Sequence, residues 1–175
     1  MKNSLYYPQV SLSDEQIFTE IKKERDDIGY YSLPYVDTTN LKARLDSLSF
    51  SQKQIAVIGI GGSTLGTYAI YNFMKYNKQH NKTLKKELYF FESTDPVNLN
   101  GTIAQLNLED TLFIVISKSG TTIETISIFK YLMSITKIDK SNLLVITEDD
   151  SKLNTFAKAN EINSFEIPKN VGGRF

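Results

Sequence analysis

From residue 54 onward the chain alternates short apolar runs with longer segments of helical period, and no other feature of the sequence constrains the fold as much. The runs are residues 55–60 (IAVIGI), 87–92 (ELYFFE), 111–116 (TLFIVI) and 142–146 (NLLVI), with a shorter fifth at 165–167. Strands that are apolar on both faces need cover on both faces, which is the condition of a parallel sheet. Segments at about 64–77, 96–107, 122–136 and 151–160 supply the covering helices. Asp95-Pro96 marks one helix start, an N-cap followed by proline at the first helical position. Strand–helix alternation of this kind builds right-handed βαβ units. The expected architecture is α/β, a three-layer αβα sandwich around a five-stranded parallel sheet.

The first fifty residues lack this pattern. A helix is expected over 13–28, where Ile17, Phe18, Ile21 and Ile28 fall near one face and Ser13 or Asp14 can cap the start. A second, over 40–48, presents Leu41, Leu45 and Leu48, and the GYYSLP segment between the two breaks the period. The domain organisation expected is an N-terminal helical extension, residues 1–50, followed by a ligand-binding domain, residues 51–175.

Charge and cysteine content narrow what such a domain can do. Lys and Arg number 20 and Asp and Glu number 20, so a net charge of zero leaves no electrostatic footprint for nucleic acid or an anionic membrane. The absence of cysteine excludes disulfides, thiolate nucleophiles and cysteine metal sites. The single histidine, His80, lies in a polar segment and reads as a solvated loop residue. The N-terminus holds no apolar run of signal-peptide length, and no stretch approaches the roughly 18 apolar residues of a membrane helix. A soluble, cytoplasmic chain is expected.

In a parallel sheet, ligands bind beyond the carboxyl ends of the strands, so the residues that follow each strand carry the chemistry. After the first strand comes Gly59-Ile60-Gly61-Gly62-Ser63-Thr64-Leu65-Gly66. Glycines let backbone approach a ligand closely, and the next helix offers free N–H groups to an anion. Ser63 stands where a hydroxyl can cap that helix or donate to a ligand. A dinucleotide-binding G-x-G-x-x-G would need glycine where the chain has Thr64, although Glu92 ends the second strand where a ribose-binding acid would stand. A Walker loop would need lysine where the chain has Thr67. Taken alone, the segment serves equally as a ligand loop or as a tight strand–helix turn.

After the third strand comes Ser117-Lys118-Ser119-Gly120-Thr121-Thr122-Ile123-Glu124-Thr125. A phosphate monoester has three acceptor oxygens and nearly two charges, and it suits short hydroxyl donors, N–H groups and helix-dipole support. Helix capping would account for one or two of these hydroxyls, not four. Glu124 is explained as a dipole complement in its helix's first turn. Glu148-Asp149-Asp150 resembles a metal-ligand run but is better explained as acids placed at a helix start.

Together the two loops resemble those of the glucose-6-phosphate isomerase family, within the sugar-isomerase (SIS) superfamily. Gly59 to Gly66 match its G-I-G-G-S-x-x-G loop, and Ser117 to Thr125 match S-K-[ST]-x-T-T-x-E-T. Gly172-Gly173-Arg174-Phe175 begin its G-G-R-[FY]-S signature. The resemblance covers residues 55–175 and implies a flavodoxin-like SIS domain. It implies that Ser117, Lys118, Ser119, Gly120, Thr121 and Thr122 hold the substrate phosphate and that Gly62 and Ser63 contact the sugar. Arg174 would be the catalytic cation beside the enediolate. It also implies interconversion of glucose 6-phosphate and fructose 6-phosphate through a cis-enediol, with no metal or organic cofactor, in a cytoplasmic homodimer of glycolysis and gluconeogenesis.

The family's catalytic Glu, ring-opening His and second SIS domain come from regions downstream of that last signature. The chain is therefore expected to be the N-terminal, phosphate-binding part, inactive alone and exposing an apolar surface. A free-standing SIS module that binds or senses sugar phosphates would use the same cradle. A nicotinamide oxidoreductase would rest on Gly59, Gly61 and Glu92 alone.

Overall fold

The computed structural model describes residues 13–25, 27–77 and 85–172. The chain divides into two compact units, residues 1–36 and 37–175. In the first, α1 (Asp14–Glu24) opens with a capping box, the Ser13 hydroxyl accepting from the Gln16 N–H while the Gln16 side chain accepts from the Ser13 N–H. The helix stops four residues short of the expected end. Asp27 places negative charge just beyond the negative end of the helix dipole. Short 3-10 turns at Gly29–Tyr31 and Leu33–Tyr35 complete the unit.

The second unit begins with α2 (Thr39–Ser47). The sheet strands are β1 (Gln54–Ile58), β2 (Glu87–Phe91), β3 (Thr111–Ile116), β4 (Leu143–Thr147) and β5 (Asn163–Glu166). All pairings are parallel and the strand order is β2-β1-β3-β4-β5. The helices between them are α3 (Leu65–Tyr76), α4 (Pro96–Ile103), α5 (Ile123–Ile135) and α6 (Lys152–Ala159). The expected α/β sandwich with its five parallel strands is the observed one. The fifth strand begins at Asn163, two residues before its apolar centre, because Ser164 and Asn163 pair through backbone alone with Val145 and Leu144.

Most of the buried side chains lie on one face of the sheet. Ala56, Ile58, Phe113, Val115 and Val145 meet Ile128, Phe129 and Leu132 of α5 and Leu153 and Ala157 of α6, with Leu99 and Ile103 of α4 packed against the cluster. Asp95 caps α4 as expected, accepting from the Val97 and Asn98 N–H groups, and Ser151 caps α6 through the Asn154 N–H. The remaining crossover helix, α3, buries only Tyr71. Its Leu65, Ile70, Phe73 and Tyr76 are each more than half exposed. No helix among the described residues is long and apolar enough to cross a membrane.

Leu132 is fully buried in the last turn of α5. Leu132→Ala leaves a cavity there and is expected to cost about 3 kcal/mol, read as a lower urea midpoint with an unchanged m value.

Candidate functional site

The strand order reverses between β1, whose crossover leads outward to β2, and β3, whose crossover leads the other way to β4. At such a switch point the loops after the two strands separate and leave a crevice. The first loop, after β1, and the second, after β3, are the two that face it.

The first loop is a compressed turn. The Gly59 N–H donates to the Phe91 carbonyl at 3.2 Å, and a Cβ on Gly59 would lie 3.0 Å from the Ser63 Cβ and 3.1 Å from both the Ile116 carbonyl oxygen and the Thr64 Cγ2. Gly61, at φ +60°, starts a 3-10 turn through Ser63, closed by the Thr64 N–H on the Gly61 carbonyl at 3.0 Å. Ser63 lies inside this turn. Thr64 precedes α3, and no side chain caps the helix.

The second loop is fastened to the β4–α6 turn. The Lys118 carbonyl accepts from the Glu148 N–H at 3.1 Å and from the Thr147 hydroxyl at 3.2 Å. Gly120, at φ +65°, is pressed against α6, where an added Cβ would fall 2.8 Å from the Leu153 nitrogen and 2.9 Å from the Ser151 Cβ. Ser117 is buried, and its hydroxyl pairs with that of Thr122 at 3.0 Å. The Ser119 hydroxyl accepts from the Thr121 N–H at 3.3 Å and from the Thr121 hydroxyl at 3.1 Å. None of these hydroxyls caps α5, whose start has no side-chain cap bond. Capping alone therefore does not explain the run of hydroxyls.

Between the loops opens a cavity of about 840 Å³. Gly62, Ser63, Lys118, Ser119 and Thr122 line it together, with Ile60, Gly61, Glu124 and Glu148. Ser117 stands behind Thr122 rather than in the lining. Gly120 and Thr121 turn toward a separate apolar groove between α5 and α6. Gly173, Arg174, Phe175 and His80 lie outside the described residues.

One cation and two carboxylates line the cavity, so an anion there must be held chiefly by neutral donors: hydroxyls and the uncapped N–H groups of α3 and α5. The Lys118 ammonium donates to the Lys169 carbonyl at 2.8 Å and pairs with Glu148 at 3.3 Å. Lys118 and Glu148 are only 26% and 22% exposed, which makes theirs the most enclosed ion pair among the described residues. An ammonium has three donors, and only one is committed to a hydrogen bond, that with the Lys169 carbonyl.

The lining includes Glu148, an acid that the sequence reading assigns to a helix start. Glu148 carries no motif of its own, and its signal is its place immediately after β4, on the ligand-binding edge. Its neighbours point elsewhere. Asp149 bonds Lys158 at 2.8 Å and Asp150 bonds Lys169 at 2.7 Å, and each lysine's hydrogen bond holds its carboxyl below the usual range. Among the described residues no group of three or more His, Cys, Asp or Glu side chains could hold a metal ion. Glu92, at the place of a ribose-binding acid, instead accepts the hydroxyl of the fully buried Thr64. The Thr64 Cγ2 stands where a Cβ on Gly59 would meet it at 3.1 Å.

Residues 38–175 match the model of a family described as Phosphoglucose isomerase. The chain is 37% identical over 189 residues to the glucose-6-phosphate isomerase of Campylobacter jejuni, covering all of this chain and 44% of that one. It is 33% identical to the Carboxydothermus hydrogenoformans glucose-6-phosphate isomerase, covering 88% of this chain and 36% of the relative. The chain thus spans less than half the length of these curated relatives. Among solved structures, a hypothetical protein of Thermus thermophilus superposes with a TM-score of 0.73 at 24% identity, over 91% of this chain and 39% of that one. A glucose-6-phosphate isomerase of Chlamydia trachomatis superposes at 0.59 and 22% identity, over 95% and 30%. These two likenesses carry the fold.

The contact of Gly120 with α6 sets the shape of the second loop. Gly120→Ala combines a positive φ with a clash against backbone, and is expected to lower stability by about 3 kcal/mol in urea unfolding.

Proposed function

The chain belongs to the phosphoglucose isomerase family, and from that premise we propose that it is the phosphate-binding part of an enzyme that interconverts glucose 6-phosphate and fructose 6-phosphate. The observation that carries this reading is the cavity at the switch point, where the hydroxyls of Ser119 and Thr122 and the Lys118 ammonium face the Gly61–Ser63 turn. The relatives are named isomerases, so a free-standing sensing module is not favoured.

The phosphate is held by the Ser119 and Thr122 hydroxyls, the N–H groups that open α5 and the Lys118 ammonium, whose bond to the Lys169 carbonyl leaves donors for the ligand. Ser117 braces Thr122 from behind, Gly120 supplies the bend, and Thr121 orients Ser119. Gly62 and Ser63 meet the sugar from the opposite wall. Anchoring the phosphate fixes C1 and C2, where the proton moves through a cis-enediol(ate). Arg174 is the cation that stabilises the developing oxyanion. Lys118 stays an anchor and moves no proton. Residues 51–175 form the sugar-phosphate-binding domain of a cytoplasmic, homodimeric enzyme of glycolysis and gluconeogenesis. The bare apolar side of α3 supports association with further protein surface.

No residue lining the cavity is assigned as the base or as the ring-opening acid, so the 175-residue chain should show no turnover in a coupled dehydrogenase assay. Turnover by the purified chain would overturn that division of labour. Calorimetry should show glucose 6-phosphate binding to the chain. Lys118→Ala combined with Thr122→Ala removes two anchors at once and should weaken that binding at least about thirtyfold. Unchanged affinity would remove the loop from the phosphate site.

A further inference from the structure

We infer that Glu92, which touches no part of the cavity, is a positioning residue that sets the Gly61–Ser63 turn through the buried hydroxyl of Thr64. This rests on the reading that the turn meets the sugar. Glu92 directly follows β2, in register beside β1: Ile58 pairs with Phe91, and Gly59 donates to the Phe91 carbonyl at 3.2 Å. Beyond that pairing the Thr64 hydroxyl donates to Glu92, while further along α3 the Tyr68 ring packs edge-on against Phe90.

Thr64 is fully buried and fixed at several points. Its N–H closes the 3-10 turn on the Gly61 carbonyl at 3.0 Å, its carbonyl accepts from the Tyr68 N–H at 2.8 Å, and its methyl group abuts Gly59. Its single hydroxyl proton has two acceptors within reach. The Gly61 carbonyl is 3.3 Å away and already serves the Thr64 N–H, whereas Glu92 offers a carboxylate, the stronger acceptor. Without Glu92 the buried hydroxyl would keep only the long contact, an unfavourable state that the turn can relieve by shifting. Gly62 and Ser63, held between Gly61 and Thr64, would move with it. Glu92 itself faces a smaller pocket beside α4, so its effect on ligand passes through Thr64.

The test uses two ligands that differ in what they ask of the turn. The chain and its Glu92→Ala, Glu92→Gln and Thr64→Val variants are titrated calorimetrically with glucose 6-phosphate and with inorganic phosphate, which has no sugar. Glu92 is exposed, so Glu92→Ala spares the core even if Thr64→Val folds poorly. Glu92→Ala and Thr64→Val should weaken glucose 6-phosphate about tenfold while inorganic phosphate stays within about twofold. Glu92→Gln keeps an oxygen acceptor and should stay within about threefold of the unaltered chain. Amide hydrogen exchange at Ser63 and Thr64, whose N–H groups bond the Ile60 and Gly61 carbonyls, should quicken about tenfold without ligand in Glu92→Ala and return toward the original rate in Glu92→Gln. Equal losses for both ligands, or unchanged glucose 6-phosphate affinity with unchanged exchange, overturn the assignment. If the unaltered chain binds neither ligand, the sugar-phosphate reading falls, and the exchange measurement alone still decides whether Glu92 holds the turn.

Discussion

The placement of β1, hydrogen-bonded to β2 on one side and β3 on the other, is the constraint on which the rest of the molecule depends. Parallel pairing puts the carboxyl ends of β1 and β3 at the same edge, with Ile58 opposite Val115. Their crossovers leave in opposite directions, so the glycine turn and the hydroxyl loop become opposing walls. A different strand order would keep every motif and lose the cavity. Phe113 and Val115, buried in the middle strand, hold that order by filling the space under α5 and α6. The chemistry at the edge therefore depends on apolar packing some distance beneath it.

Both loops are secured by an acid from the end of the adjacent strand. Glu92 after β2 grips the first loop through Thr64, and Glu148 after β4 grips the second through Lys118 and, by its own N–H, through the Lys118 carbonyl. The cost is electrostatic, because Glu148 adds negative charge to a cavity read as a phosphate site. Neutral donors and helix N-termini tolerate that charge better than a lysine cluster would, since their dipoles are fixed by the fold and need no counter-ion.

The alternation of apolar runs made the sheet and four of its helices legible, because strands covered on both faces leave an unambiguous pattern. The hydroxyl loop was legible because capping explains one or two hydroxyls at a helix start and not four, whereas the glycine loop taken alone served equally as a tight turn, and the positive φ of Gly61 is seen only in the fold. Boundaries were less legible where charge or local turns decide them. α1 ends before Asp27, and α4 gives way after Ile103 to tight turns at Gln105 and Leu106 that side-chain period does not encode. Glu148 and Glu92 were read as a dipole complement and as a ribose-binding position because their partners, Lys118 and Thr64, lie about thirty residues away in sequence. Such contacts belong to strand order, which the apolar pattern leaves open.

The strand order also bears on how the chain is made. β3, β4 and β5 lie side by side in the order in which a ribosome delivers them, β4 joining the edge that β3 has just completed and β5 the edge of β4. Both loops fall between residues 59 and 125, so their backbone leaves the ribosome before β4 does. Gly120 can take its seat only once Ser151 and Leu153 have followed. The hydroxyl loop is thus synthesised early and locked late. A nascent chain must pass through an interval in which the loop we read as a phosphate cradle has all its residues and none of its rigidity.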